Sequence, residues 1–238
     1  MLISSYDDRM ARQATRHARV LHFLRDETWT AAHVIRELLK GSPALVSKTM
    51  QQLKKLGHVT EHRAEGCRST LWGITTHGLA HAWDADEAMA IRSYFEPSRL
   101  SALAIPHRLD VQRARLRAED AGWSDWRPEI ILPAGMAKRP DALVVDPNGQ
   151  VIAVELERHI KTLKRYEAVF AAYLQAIKRG ELEYVHYVTP DADLATRLAR
   201  VLSLVQAVPL LGERVPISDR HRSRFLVMAL PDWPPLCT

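Results

Sequence analysis

Apolar residues never run uninterrupted for anything near the roughly 20 positions a helix needs to cross a bilayer, so no membrane span is expected. The first residues, MLISSYDDRMARQ, lack the apolar core of a secretory signal, and the chain reads as cytoplasmic. Cysteine is scarce. Cys67 and Cys237 lie far apart, with no Cys or His beside either at metal-ligand spacing, so neither a disulfide framework nor a zinc site is suggested. Internal repeats and low-complexity tracts are also missing, which removes solenoid and disordered-chain readings. What remains is a chain of 238 residues, 47% hydrophobic, able to bury a core in two domains of ordinary size. Its formal charge of +5 and pI near 9.4 agree with a polyanionic partner, although charge alone does not identify one.

The N-terminal part alternates helical and turn signals. Val20, Leu21 and Phe23 sit among Arg and His in a first helix from about Met10 to Arg25, and Thr30 has the chemistry of an N-cap for a second helix, AAHVIRELLK. Gly41-Ser42 breaks that helix, Pro43 suits the first turn of a third, and Gly57 closes it. Two alternating segments around Ala64-Glu65-Gly66 follow, then a helix, THGLAHAWD. This order predicts a winged helix-turn-helix. LKKLGHV, the hairpin and LWGITTHGLAHA resemble the third helix, wing and following helix of winged-helix regulators such as the MarR and PadR groups. Ser42, Ser47, Lys48, Gln51, Gln52 and Lys55 lie on or beside the expected recognition helix, with side chains suited to phosphates and base edges. Arg63 and Arg68 flank the wing tip, within reach of a minor groove. The plainer alternative is a solvated helix face at Lys48, Lys54 and Lys55.

Pro97 and Pro106 interrupt an irregular stretch, which sets expected domains at 1–85 and 106–238 with a linker at 86–105, although 85–95 has some helical character. Beyond it the pattern predicts a surface helix HRLDVQRARLRAEDAG, a strand EIIL, strands ALVV and VIAVELE, a long helix from Thr162 to Gly180, a strand YVHYVT, a helix opened by Asp191, and a strand FLVMAL.

The stretch RPDALVVDPNGQVIAVELERHIK, Arg139 to Lys161, carries the chemistry. PNGQ reverses the chain, and alternation puts Val151, Ala153, Glu155 and Glu157 on one face. Asp141 opens the first strand, so two strands deliver carboxylates to one place. Such oxygens suit Mg²⁺ or Mn²⁺, which take one or two protein carboxylates plus a substrate phosphate. Lys161 stands beyond the second strand, where a cation can orient water or steady a phosphate. Each residue also has a structural reading: Asp141 as a turn residue, Glu155 as a solvated strand carboxylate, Glu157 as a partner for Arg158 and Lys161, Glu119 as a solvated helix position. His107 can be a general acid or base, or merely a residue near a helix start. Tyr166 and Tyr173 are candidate phenolate nucleophiles, but both fall on the apolar stripe of the long helix, which favours packing and a water nucleophile. Arg158, Lys161, Lys164 and Arg165 supply charge for a phosphate groove.

The order helix, three strands, helix, strand, helix, strand from about Pro106 resembles the restriction-endonuclease-like core, the PD-(D/E)XK superfamily, with Pro140-Asp141 as the PD and Glu155 as the second carboxylate. Glu157 stands where the superfamily usually has Lys. In migrated versions that lysine moves onto the following helix, and Lys161 or Lys164 can fill the role. Over nearly its whole length the chain resembles the replication-relaxation family and the MobC-type plasmid mobilisation proteins, through His107, Pro140-Asp141, Glu155-Leu156-Glu157, and Lys161 ahead of RYEAVFAAYL. The MobC type implies a relaxase lacking the paired-histidine metal site of commoner relaxases, and this chain has no His-x-His pair. The resemblance therefore implies an α/β (α+β overall) chain, a winged helix followed by a nuclease-like domain with a central mixed sheet. It implies a DNA-binding protein that nicks or relaxes DNA with Mg²⁺ or Mn²⁺ at Asp141 and Glu155, catalysis involving Glu157, Lys161 and His107, and DNA, other mobilisation or replication proteins, or a second copy of the chain as partners. A regulator whose nuclease-like domain is inactive is the rival. A repair or defence nuclease with the same chemistry is the third.

Overall fold

The computed structural model describes residues 6–64 and 69–235; Arg68 and both cysteines fall outside them. The chain is α+β and divides into two compact units, residues 1–112 and 113–238. Among the described residues no helix is long and apolar enough to cross a membrane.

The first unit runs α1 (Tyr6–Glu27), β1 (Trp29–Ala31), α2 (Ala32–Leu39), α3 (Pro43–Lys55), β2 (Val59–His62), β3 (Leu71–Ile74) and α4 (Thr76–Ala80), with an antiparallel sheet ordered β1-β3-β2. α3 forms because Ser42 accepts a hydrogen bond from Leu45 N at 3.2 Å and Pro43 takes a position whose missing N–H costs nothing. Val46, Met50 and Leu53 then turn inward at helical spacing. Thr30 is not an N-cap. It pairs with Trp72 inside β1, and its buried hydroxyl donates to Gln112 Oε1 at 2.7 Å, while Ala31 precedes α2 with no side-chain cap. Burial of both Thr30 and Gln112 makes that bond worth more than a solvated cap. No helix forms over 85–95; instead Phe95 is buried and its N–H donates to Ile74 O at 2.9 Å.

Helix α5 (Ile105–Asp120) spans the division between the units. The second unit continues with β4 (Ser124–Pro128), β5 (Ala142–Val145), β6 (Val151–Leu156), α6 (Leu163–Lys178), β7 (Tyr184–Thr189), α7 (Ala192–Ser203), β8 (Ala207–Leu210), β9 (Glu213–Pro216), α8 (Asp219–Arg222) and β10 (Phe225–Ala229). Five strands make a mixed sheet ordered β10-β7-β6-β5-β4, parallel across β10, β7 and β6 and antiparallel across β6, β5 and β4. The expected strand at EIIL is instead a 3-10 turn, Glu129–Ile131, and β4 lies just before it; Ile130 is 84% exposed, so apolar character there does not signal burial. The sequence pattern does not predict the hairpin β8–β9 or the short α8. Prolines and the Leu211-Gly212 turn mask a strand pattern that still buries Val208.

Alternation along the sheet sorts its two faces. Leu143, Ala153, Val185 and Tyr187 face the apolar cluster that contains Tyr166, Phe170 and Tyr173 of α6 and Leu198 and Leu202 of α7. Phe170 stacks on Phe225 at 3.8 Å between ring centres. The opposite parity carries His186, which is buried beside Trp123 and accepts a hydrogen bond at Nδ1 from Trp233 Nε1 at 3.1 Å. Burial pushes this imidazole down to about 4, the attraction of Asp146 offsetting it only in part. The unfolded chain therefore binds a proton more readily than the folded one between about pH 6.5 and 4, and stability is lost as pH falls through that window. At pH 4 the loss amounts to roughly 3 kcal/mol. Urea unfolding of the full chain at pH 7 and pH 4 should show that extra loss in the wild type and not in His186→Asn; equal losses in both would exclude His186 as the acid-labile group.

Candidate functional site

The β5–β6 pairing builds the site. Asp146 Oδ1 accepts from Asn148 N at 2.9 Å and Gln150 N at 2.8 Å, and Gly149 takes φ 80°, so the chain reverses tightly and Val145 pairs with Val151. Ala142 pairs with Val154. Continuing that register, Asp141 stands opposite Glu155, on the face that carries Leu143 and Ala153. Asp141 Oδ2 accepts from Leu156 N at 2.7 Å, which ties the residue before β5 to the end of β6.

Glu155 is buried, and in the parallel register it lies beside Tyr187 of β7. Its Oε1 receives two donors, Tyr173 Oη from α6 and Lys138 Nζ at 2.6 Å. Glu157 is buried as well and pairs with Lys161 Nζ at 2.9 Å, while Tyr166 Oη accepts from Lys161 N at 3.1 Å. Three carboxylates and two ammonium groups thus gather beneath three tyrosines. Burial pushes the Glu155 carboxyl up; Lys138 opposes that shift and Asp141 adds to it. The phenols move the same way: burial raises Tyr166 to about 12 and holds Tyr173 and Tyr187 well above the ordinary value. Tyr187 Oη is buried and has no hydrogen-bond partner among the described residues.

Lys138 is the residue that sequence reasoning missed. It lies in an irregular loop, three positions before Asp141, where no periodicity reports direction; only its charge ahead of Pro140-Asp141 points to it. Helical spacing marks Tyr173 as a packing residue or a nucleophile, but not as the donor to Glu155. Lys164 and Arg165 are exposed at the start of α6, and Glu119 is held by Arg115 at 2.7 Å. His107 lies half-buried in α5 and belongs to the first unit, whereas the carboxylates belong to the second.

In the first unit, Ser47, Lys48, Gln51 and Lys55 form one exposed stripe of α3, opposite the buried Val46, Thr49, Met50 and Leu53. Gln52 sits off the stripe, half-buried, and donates to Gln13 Oε1 at 3.4 Å. Ser42 is exposed but already spends its oxygen on capping α3. Arg63 is exposed beyond β2. Lys54 pairs with Glu61 at 2.7 Å.

A family model described as replication-relaxation matches residues 21–191 of this chain. Among curated proteins nothing matches. A solved structure of Lactococcus lactis ZitR, a mutant in apo form, is similar at 28% identity over 31% of this chain and 57% of that one, with a TM-score of 0.27, an overlap too slight to bear on fold or function.

The pairing of Lys138 with Glu155 has a measurable consequence. In Lys138→Gln the carboxyl should rise further, because burial then acts unopposed except by Tyr173. A raised folded-state value means the variant matches wild type below about pH 4.5, where Glu is protonated in both states, and falls behind as pH rises toward neutrality. Urea unfolding across pH 4 to 7 should show a deficit growing to roughly 2 kcal/mol. A deficit independent of pH would mean that the ammonium acts by packing alone.

Proposed function

The chain belongs to the replication-relaxation family, and from that membership and the carboxylate geometry we propose that it docks on duplex DNA through its first unit and nicks one strand through its second, with Mg²⁺ or Mn²⁺ held by Asp141 and Glu155. The coarser part, a role tied to replication or mobilisation, follows from the family itself. The observation that carries the finer part is the cross-strand placement of Asp141 against Glu155, with Lys138 on Glu155 and Lys161 on the nearby Glu157. The residues fit a hard dication: two oxygen donors come from adjacent strands, burial raises Glu155 with Asp141 adding to the rise, and the buried Tyr187 hydroxyl on the same face has no hydrogen-bond partner among the described residues. When bound, the ion would polarise a phosphate and make a coordinated water more acidic.

The chain's own residues divide the remaining work. Leu156 N fixes the Asp141 carboxylate, and Tyr173 anchors Glu155 from the helix side. Lys138 and Lys161 carry the ammonium groups that can turn from carboxylate to phosphate as substrate enters. Glu157, in the place of the superfamily lysine, draws Lys161 back toward the strand end, which supports the migrated-lysine reading. Raised phenol values at Tyr166 and Tyr173 disfavour a phenolate and support water as the nucleophile. The helix–strand order of the first unit fits a winged helix, with the α3 stripe of Ser47, Lys48, Gln51 and Lys55 laid in the major groove and Arg63 on the wing. One observation favours the rival, an inactive regulator: Glu155 is already engaged by Lys138 and Tyr173, and burial disfavours its charge.

Supercoiled plasmid tests the reading. Open circles should appear with Mg²⁺ or Mn²⁺ and not with chelator, and Asp141→Asn or Glu155→Gln should slow nicking by roughly 100-fold or more while a gel shift persists. Lys48→Ala should weaken binding to any duplex and reduce the salt-dependence slope by roughly 0.9. Nicking that survives both carboxylate variants would remove this site from the mechanism. Plasmid left intact with either metal, together with a retained gel shift, would favour the regulator.

A further inference from the structure

Three histidines converge in the first unit, far in sequence from the carboxylates. His58 follows the end of α3, and the segment THGLAHA sets His77 and His81 four residues apart, on one side of α4 and its C-terminal end. The backbone brings these segments together. His58 N donates to Leu53 O at 2.9 Å, and its carbonyl accepts from Thr75 N at 3.0 Å and Thr75 Oγ1 at 3.1 Å. That hydroxyl shares its one proton between His58 O and the nearer Gly57 O at 2.6 Å, and its oxygen accepts from Gly78 N at 2.9 Å, capping α4. Gly78 is required for this approach, since a Cβ there would lie 2.0 Å from His58 O. The clamp leaves the imidazoles edge to face and stacked: ring centres are 4.6 Å apart for His58 and His81, 5.0 Å for His58 and His77, and 4.8 Å for His77 and His81.

Packing of three aromatic rings is the simplest account of such a cluster, yet two details exceed it. One ring nitrogen from each histidine lies within 4.8 Å of the other two. Also, His58 Nδ1 is buried with no hydrogen-bond partner among the described residues, a cost that packing does not recover. Nitrogens about 2.0–2.1 Å from a tetrahedral ion stand about 3.3 Å apart. His77 and His81 are exposed, so rotation of their rings can close the difference while His58 stays fixed.

We propose that His58, His77 and His81 form a binding site for a borderline transition-metal dication of the Zn²⁺ class, with the fourth position open to water or an outside ligand. Three neutral nitrogens and no carboxylate set it apart from the hard-cation chemistry proposed at Asp141 and Glu155. The ion would join the end of α3 and the start of β2 to α4, so it would brace the helix proposed to read DNA. The site stands on its own geometry, whatever the second unit does.

Cobalt absorption tests it directly. Untagged full-length protein carrying Asp141→Asn and Glu155→Gln, to silence the carboxylates, is titrated with Co²⁺ and then with Zn²⁺. A single equivalent of Co²⁺ should give the strong visible bands of tetrahedral nitrogen coordination, and Zn²⁺ should displace it. His77→Ala and His81→Ala, both at exposed positions, should each weaken binding by roughly 100-fold, with unchanged circular dichroism. Weak bands of the hexahydrated ion, or binding that persists in both histidine variants, would overturn the site and leave the rings as packing.

Discussion

Cross-strand register between β5 and β6 is the constraint on which the second unit's chemistry depends. The turn closed by Asp146 and Gly149 pairs Val145 with Val151, and everything upstream follows in steps of two. Asp141 comes to face Glu155 although a whole hairpin parts them in sequence, and Glu157 returns to the same side. A slip of one residue would turn Asp141 to the face opposite Glu155 and Glu157, where His186 lies among Trp123 and Trp233. The parallel pairing of β6 with β7 adds Tyr187 beside Glu155, and α6, packed on that face, adds Tyr173. One turn therefore decides which groups meet.

Having met, these groups form an arrangement that costs stability. A buried carboxylate beside another carboxylate is costly, and Lys138 offsets that cost at Glu155 while Lys161 does so at Glu157. Both lysines remain about a third exposed, so each can leave its partner at a modest desolvation change, which a fully enclosed ion pair could not do. The three phenols are held neutral first by burial and then by the neighbouring carboxylates, beside which each would add a negative charge.

Much of this is legible in the amino-acid sequence. The α3 stripe is readable because Pro43, Ser42 and Gly57 punctuate it and its apolar positions keep a helical period; β5 and β6 are readable because a turn of known chemistry joins two alternating segments. The mixed sheet and the facing carboxylates follow from those signals. Lys138 is illegible, since a loop has no period from which to infer direction. EIIL misleads because exposed isoleucines imitate a buried strand, and Thr30 misleads because a threonine before a helix is as consistent with a strand as with a cap. The histidine cluster is illegible for a different reason: its spacing is short only across α4, and the third member is delivered by the hydrogen bonds between Thr75 and His58.

The two proposed sites would not compete for the same ion. Anionic oxygens beside phosphate suit Mg²⁺, which binds through charge and keeps its waters, whereas uncharged imidazoles offer it little and favour ions higher in the Irving–Williams order. Zn²⁺ would enter the histidine cluster first, because leaving water for nitrogen costs it less than displacing Lys138 from Glu155 at 2.6 Å. Under the proposed function, selectivity would come from the lysines as much as from the ligands: an ammonium held on the carboxylate would set a threshold for an arriving cation, lowered when a phosphate is present to receive the displaced charge. Substrate and metal would load the second unit together, while a metal in the first unit would depend on no substrate at all.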